Sequence, residues 1–266
     1  MENMGMDVLV CLMVLALISL AFMTPRKKHL VPEIAPLEID QVLKGLRKKI
    51  TKQAPELEEL GFRYCGVYES RAQRKTLEQV AVFVHSSREV EFRLWLVRTS
   101  IGFESDYFEI GSCLAPHGAL VMGNSNQPEL SAAPPDLFLP LMPGGKSIKK
   151  LYQAHLEHLG VLSKEGFEAR PVSGEDAAQR MINRVTHGFE YQVKRGAMTR
   201  REDGSYRQRL SLGIILTLTR ALIAATPFGF VLMKAPSPAG RAHALRKSAR
   251  IAKQMPPDWR LNPERV

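Results

Sequence analysis

Residues 89–100 read EVEFRLWLVRTS. Val90, Phe92, Leu94 and Leu96 fall on one face of this stretch, with Glu91, Arg93 and Trp95 on the other, which is the period of two expected of a half-buried strand. Four neighbouring stretches share its short length and its β-branched and aromatic content: GFRYCGVYES (61–70), LEQVAVFVHSS (77–87), SDYFEIGSCL (105–114) and GALVMGNS (118–125). The connections between them are too short for crossover helices, so neighbouring strands are expected to run antiparallel. A sheet of about five strands with one buried face needs a cover. Helical segments on either side supply it, and the fold class expected is α+β.

Before the sheet, HLVPEIAPLEID (29–40) reads as a short extended linker on the strength of its two prolines. Leu37, Ile39, Val42, Leu43, Leu46 and Ile50 then recur near helical spacing, with Lys44, Arg47, Lys48 and Lys49 on other faces. Glu38, Asp40, Glu56, Glu58 and Glu59 dilute that charge, which favours a solvated helix face over a lipid-binding one. After the sheet, NQPELSAAPPDLFLPLMPGGK (126–146) lacks a period and reads as an ordered surface loop. Its Leu137, Phe138, Leu139 and Leu141 are costly to leave in water, and exposed they would form a partner-binding segment. IKKLYQAHLEHLG (148–160) is a helix capped by Ser147 and ending near Gly160. A further helix starts at SGEDAAQRM, capped by Ser173, with Met181, Val185 and Phe189 on one face.

The ends of the chain carry a different signal. VLVCLMVLALISLAFMTP, residues 8–25, contains no charge. At about 1.5 Å per residue it spans roughly 27 Å as a helix, close to the hydrocarbon thickness of a bilayer. Glu2 and Asp7 precede this run and Arg26, Lys27 and Lys28 follow it, the reverse of a secretory signal, so an uncleaved anchor is expected. Lys and Arg resist translocation, which leaves the N-terminus outside and the main domain in the cytoplasm. Charge is equally uneven: residues 191–266 hold 15 of the 37 Lys and Arg and 4 of the 27 acidic residues, a net of +11 against +10 for the whole chain. Anionic partners are therefore to be sought at the C-terminal end.

A second apolar run, LSLGIILTLTRALIAATPFGFVLM (210–233), is long enough to span but carries Arg220 near its centre. A central Arg costs about 2.5–3.5 kcal/mol against roughly 0.3–0.6 kcal/mol gained per large apolar residue, so insertion is marginal. Crossing would also carry Arg241, Arg246, Lys247, Arg250 and Lys253 outside. Three readings stay open: a second span with Arg220 intramembrane, an interfacial helix, and an apolar helix packed on the domain. The following stretch forms a basic helix from about Ala239 to Gln254, with Ala242, Leu245, Ala249 and Ala252 on a weak apolar side. Beside an anchor, its cations suit anionic lipid headgroups. No nucleic-acid recognition motif accompanies them.

Motifs for chemistry are sparse. Gly144-Gly145-Lys146-Ser147 departs from a phosphate-binding loop because Pro140 stands where the first glycine belongs, and Pro143 removes another backbone donor. His155 and His158 share a helix face but find no matching pair elsewhere, and are read as surface or interface histidines. Cys11, Cys65 and Cys113 form no metal or redox spacing. No catalytic, cofactor-binding or metal-binding residue is assigned, and no cofactor is expected. The layout expected is an anchor (1–25), a linker with a juxtamembrane helix (26–60), an α+β domain (61–209), an apolar helix (210–233) and a basic tail (234–266). The function expected is a non-enzymatic interaction or scaffold module at the cytoplasmic membrane surface, with lipid and a protein as partners. Arg26, Lys27, Lys28, Arg241, Arg246, Lys247, Arg250 and Lys253 would contact the membrane. A membrane-bound enzyme with a site scattered in sequence is the alternative.

Overall fold

The computed structural model describes residues 28–71, 76–87, 89–124, 133–140, 147–208 and 238–261. These divide into two compact units, a larger one within residues 31–124, 133–188 and 238–261 and a smaller one within residues 28–30 and 189–208. The apolar runs 8–25 and 210–233, with Arg26, Lys27 and Arg220, lie outside the described residues. Among the described residues no helix is long and apolar enough to cross a membrane.

The larger unit is built on a sheet of eight strands. Strands β2 (Ile34–Leu37), β3 (Phe62–Ser70), β4 (Thr76–His85), β5 (Glu91–Thr99), β6 (Glu104–Ala115) and β7 (Ala119–Gly123) pair antiparallel in that order. The five strands expected from sequence are β3 to β7. Three more lie beyond them: β2 within the stretch read as linker, β8 (Leu137–Phe138), which runs parallel to β7, and β9 (Glu168–Arg170), which pairs with residues 113–115 of β6. The class is α+β, as expected, with a mostly antiparallel sheet.

One face of the sheet is aromatic and aliphatic. Phe92, Leu94 and Leu96 of β5 are fully buried there, and the Phe92 ring meets Phe62, Phe83 and Phe108 at centroid distances of 6.2, 6.3 and 5.7 Å. Helices α1 (Lys44–Glu59) and α2 (Ile148–Lys164) pack over the sheet with Leu46, Leu57, Ile148 and Leu151 buried. Helix α1 has no capping side chain of its own. The buried Gln79 of β4 serves instead, accepting from Leu43 N at 2.8 Å and donating to Gln41 O at 3.4 Å, so the sheet fixes where the helix begins. Lys44, Arg47 and Lys48 point to solvent. Ser147 caps α2 by accepting from Lys150 N at 3.3 Å. The helix runs on past Gly160 to Lys164, because Gly160 has open space around it and the stop comes later. Gly166 at φ +78° lets Gly166 N reach Ser163 O and Phe167 N reach Leu162 O, closing the last turn over buried Leu162 and Phe167.

The second face departs from the expectation of one buried side. Glu91, Arg93 and Trp95 alternate with the apolar set, yet they are 2, 4 and 7 % exposed. Helix α3 (Ala177–Lys194) covers them. It starts one turn later than Ser173, whose hydroxyl accepts from Glu175 N in the preceding turn. Ala177 and Met181 join Tyr68, Val80, Val82, Val84, Trp95 and Val172 in an apolar cluster. Beside it the charges are paired. Glu91 forms ion pairs with Arg93 and, at 2.6 Å, with Arg180 of α3. Glu109 takes Arg93 at 3.2 Å, Arg184 of α3 at 3.3 Å and the Trp95 indole N–H at 3.1 Å. Burial pushes the Arg93 guanidinium down to about 9, so it stays charged at neutral pH. Burial raises the Glu109 carboxyl, but Arg184, Arg93 and Trp95 outweigh it and hold the group below its ordinary range.

The last residues of α3 belong to the smaller unit. There β1 (Lys28–His29), β10 (Met198–Arg200) and β11 (Tyr206–Gln208) form an antiparallel sheet in the order β1, β11, β10. Tyr206 is buried, donates its phenolic hydrogen to Glu190, and meets the Phe189 ring at a centroid distance of 4.9 Å with the planes tilted by 38°.

Removing one member of the ionic cluster leaves another charge buried without a partner. Glu91→Ala is expected to destabilise the larger unit by about 3–5 kcal/mol. Leu94→Ala, which opens a cavity on the opposite face, is expected to cost about 2–5 kcal/mol. Urea unfolding followed by tryptophan fluorescence checks both.

Candidate functional site

The C-terminal segment is folded onto the larger unit through helix α4 (Pro238–Lys253) and a short 3₁₀ turn (Pro257–Trp259). Helix α4 packs beside α2. Leu245, Ala249 and Ala252 of its apolar side are buried, and Met255 and Leu261 beyond it are buried as well. Arg246, Lys247, Arg250 and Lys253 are exposed. Their positions at i, i+1, i+4 and i+7 put them on one side of the helix. Lys253 lies 3.9 Å from Glu165, and Arg241 is half-buried nearer the start of the helix. Five of the eight membrane-contact residues expected from sequence therefore share one element. Lys28 lies in β1 of the smaller unit, while Arg26 and Lys27 are not described.

Between α4 and residues 137–140 runs a groove of ≈ 320 Å³. Leu137, Phe138, Leu139 and Pro140 form one wall, and Arg241, Ala244, Leu245 and Ser248 form the other. The first wall is held by one carboxylate. Asp136 is fully buried and accepts from Leu261 N at 2.7 Å with one oxygen and from His187 Nε2 of α3 at 2.9 Å with the other. Its backbone oxygen accepts from Ala119 N at 3.0 Å, setting the parallel pairing of β7 with β8. Gly118 makes that approach possible: at φ +102°, a Cβ on it would come within 2.4 Å of Asp136 O. Leu137 and Leu139 pack against Ala119, Val121 and Leu261. The apolar residues of the proline-rich loop that are described thus line a groove. Hydrophobicity at 137–141 was the sequence signal for this wall; the partner helix lies far along the chain.

Two other clusters invite a chemical reading. Ser112 Oγ lies 2.8 Å from His155 Nε2, and the neighbouring His158 bonds Ala154 O through Nδ1. All three side chains are buried, so of the surface or interface placement expected for the histidines the surface one does not hold: they point from α2 into the sheet. Burial, with a smaller contribution from His158, pushes His155 down to about 3, so it is neutral at physiological pH. With Ser112 at 3 % exposure and His155 at 0 %, the pair offers no nucleophile to a substrate and fills a polar gap between α2 and β6. The thiols of exposed Cys65 and half-buried Cys113 are both raised, mainly by burial, which disfavours the reactive thiolate. Among the described residues no group of three or more His, Cys, Asp or Glu side chains is placed to hold a metal. Gly144, Gly145 and Lys146 are not described.

The buried His155 has a consequence for acid stability. The unfolded chain takes up a proton near pH 6.5, while the folded protein resists doing so until about pH 3. The stability held in the neutral ring is complete above pH ~6.5 and is lost as pH falls toward 3. His155→Gln is therefore expected to flatten this limb of the stability profile, read by urea unfolding between pH 7 and 4. Asp136→Ala leaves Leu261 N–H and His187 without their acceptor, at about 1–3 kcal/mol for each unsatisfied group. Amide hydrogen exchange in this variant is expected to quicken at residues 257–261 before it does in β4 or β5.

No family model matches this chain, and neither the curated proteins nor the solved structures show a match to it.

Proposed function

We propose that the chain is a membrane-anchored, non-enzymatic interaction module at the cytoplasmic membrane surface, with the outer side of α4 turned toward anionic lipid headgroups. The observation that carries this reading is the division of α4 into two sides. Leu245, Ala249 and Ala252 are committed to the protein interior, while Arg246, Lys247, Arg250 and Lys253 are left in solvent on one side. Folding thus presents a fixed array of cations. Each cation near an anionic bilayer contributes about 1 kcal/mol, so four contribute up to about 4 kcal/mol, screened by salt. The uncharged run 8–25, followed by Arg26, Lys27 and Lys28, supplies the tether in the same reading. Attachment at one end raises the effective concentration of α4 at the surface, so modest electrostatics suffice.

The test uses the full chain reconstituted in vesicles of phosphatidylcholine alone or with phosphatidylglycerol. A fluorophore is attached at Lys247→Cys, after Cys11, Cys65 and Cys113 are replaced, and a quencher is carried on the lipid headgroups. Quenching is expected to be strong only with phosphatidylglycerol, to fall between low and high salt, and to disappear when Arg246, Arg250 and Lys253 are all changed to Glu. Equal quenching in neutral and anionic vesicles, indifferent to salt, would overturn the proposal. Protease protection of the region after residue 255 checks the topology, which the proposal requires to be cytoplasmic.

A further inference from the structure

On the membrane-anchored reading proposed above, we infer that residues 210–233 are a second attachment to the bilayer, entering the cytoplasmic leaflet beside the anchor and returning to the same side without crossing. The start of this run is placed by the pairing of β1 with β11, antiparallel, with Lys28 opposite Arg207 and His29 opposite Tyr206. Away from this ladder the chain leads back from Lys28 to Pro25, the end of the first apolar run, and on from Arg207 to Leu210, the start of the second. In an antiparallel pair those two directions are the same. Three residues span at most about 11 Å and paired strands lie about 5 Å apart, so Leu210 starts within about 26 Å of Pro25. An anchor that emerges at Pro25 brings the second run to the same membrane surface.

The end of the run is placed by the larger unit. Helix α4 begins at Pro238 and packs beside α2, Ala252 O accepts from His117 Nε2 at 3.3 Å, and Leu261 N donates to Asp136 at 2.7 Å. Both partners, His117 and Asp136, precede the run. Between residues 28 and 208 no undescribed stretch exceeds eight residues, and among the described residues no helix is long and apolar enough to cross a membrane. A crossing helix needs about 17–25 residues. The long strands are covered by α1 and α2 on one face and by α3 on the other, and α3 continues unbroken into the smaller unit. Residues 28–208 therefore stay on one side, and residues 238–261, folded onto them, stay there too. A single crossing by the second run would put α4 across the bilayer from α2. Charge agrees: Arg195, Arg200, Arg201 and Arg209 precede the run and Lys234, Arg246, Lys247 and Arg250 follow it. Cations within about 15–20 residues of an apolar segment favour the cytoplasmic side, here for both ends.

From Leu210 to Met233 the sequence has one charge, Arg220. An apolar stretch that starts at a bilayer surface is drawn in by the same transfer free energy that holds the anchor. Arg220 limits the depth, since from one leaflet a guanidinium on its flexible stem reaches the headgroups, while at the centre of the bilayer it is cut off from them.

The experiment uses the full chain, with Cys11, Cys65 and Cys113 replaced, in membrane vesicles of both orientations. Single cysteines are labelled with a membrane-impermeant maleimide. Glu202→Cys and Lys247→Cys, both at exposed positions, are expected to label only from the cytoplasmic face, and Glu2→Cys only from the other. A fluorophore at Ala224→Cys is expected to be quenched more by lipid brominated near the headgroup end of its chains than by lipid brominated near the chain ends. Lys28→Cys with Arg207→Cys is expected to oxidise to a crosslink in the membrane, because paired strands hold opposite Cα atoms at about 4.5–5.5 Å, within disulfide reach. Opposite faces for positions 202 and 247, or no crosslink between 28 and 207, overturns the inference. So does an absence of quenching at 224, which makes the run a helix packed on protein, or quenching as strong from the chain ends, which makes it a deep insertion. Position 2 reports the anchor separately: labelling from the same face as 202 and 247 removes the anchored reading, with quenching at 224 still deciding whether the second run meets lipid. Headgroup quenching at 247 tests the α4 surface apart from both.

Discussion

Glu91 is buried between two arginines, and much of the larger unit is arranged around the need to keep it paired. A carboxylate removed from water is stable as an ion only if cations and donors replace the lost hydration. Arg93 comes from the same strand and Arg180 from α3, so the pairing fixes where the helix lies over the sheet. Glu109 repeats the arrangement one strand over, with Arg93 and Arg184. The third point of attachment is His187 on Asp136. Arg180, Arg184 and His187 stand at i, i+4 and i+7, a single stripe of α3 that meets an acidic partner at each turn. The last of those partners also holds one wall of the groove, so helix position and groove shape share one set of constraints.

Such a cluster contributes more to specificity than to net stability. Apolar residues of equal volume in the same places often do as well or better, since the desolvation cost of the ions disappears. What they would not do is choose a register. The contacts among Val80, Val82, Met181 and Ala177 are apolar, and the hydrophobic effect that holds them is non-directional. Sliding the helix by one residue would leave Glu91 and Glu109 opposite the wrong side chains, at the price of unpaired buried charge. The Trp95 indole N–H on Glu109 adds a directional contact that a slipped strand would lose.

Strands β3 to β7, the Ser147 cap and the apolar side of α4 were legible because each is written locally, in alternation, spacing or a single cap residue. The burial of the second face of β5 was not. Glu91, Arg93 and Trp95 present the same alternating pattern whether that face meets water or a helix, and Arg180, the residue that decides between them, is 89 positions from Glu91. The same limit hid Gln79 as the group that starts α1, since its partner Leu43 N is 36 positions away. His155 and His158 read as surface or interface residues because no matching ligand pair stands near them in sequence, and Ser112, which meets His155, is 43 positions away. The cations of α4 could be found as candidates from composition alone. The groove beside them could not, because one wall is a proline-interrupted loop and the other a helix late in the chain.

How α4 is packed also constrains the kind of contact it can make. A free amphipathic basic helix binds a bilayer by burying its apolar side among the acyl chains, with charge as a secondary attraction. In this fold the apolar side is already spent on Leu245, Ala249 and Ala252 in the interior, and peeling the helix away would return that surface to water. Of the described large apolar side chains of α4 only Ile251 is left exposed, so the membrane contact proposed for α4 would be electrostatic, shallow and reversible with salt. The packing therefore leaves the attraction proposed for α4 to charge, where an isolated helix would combine charge with insertion.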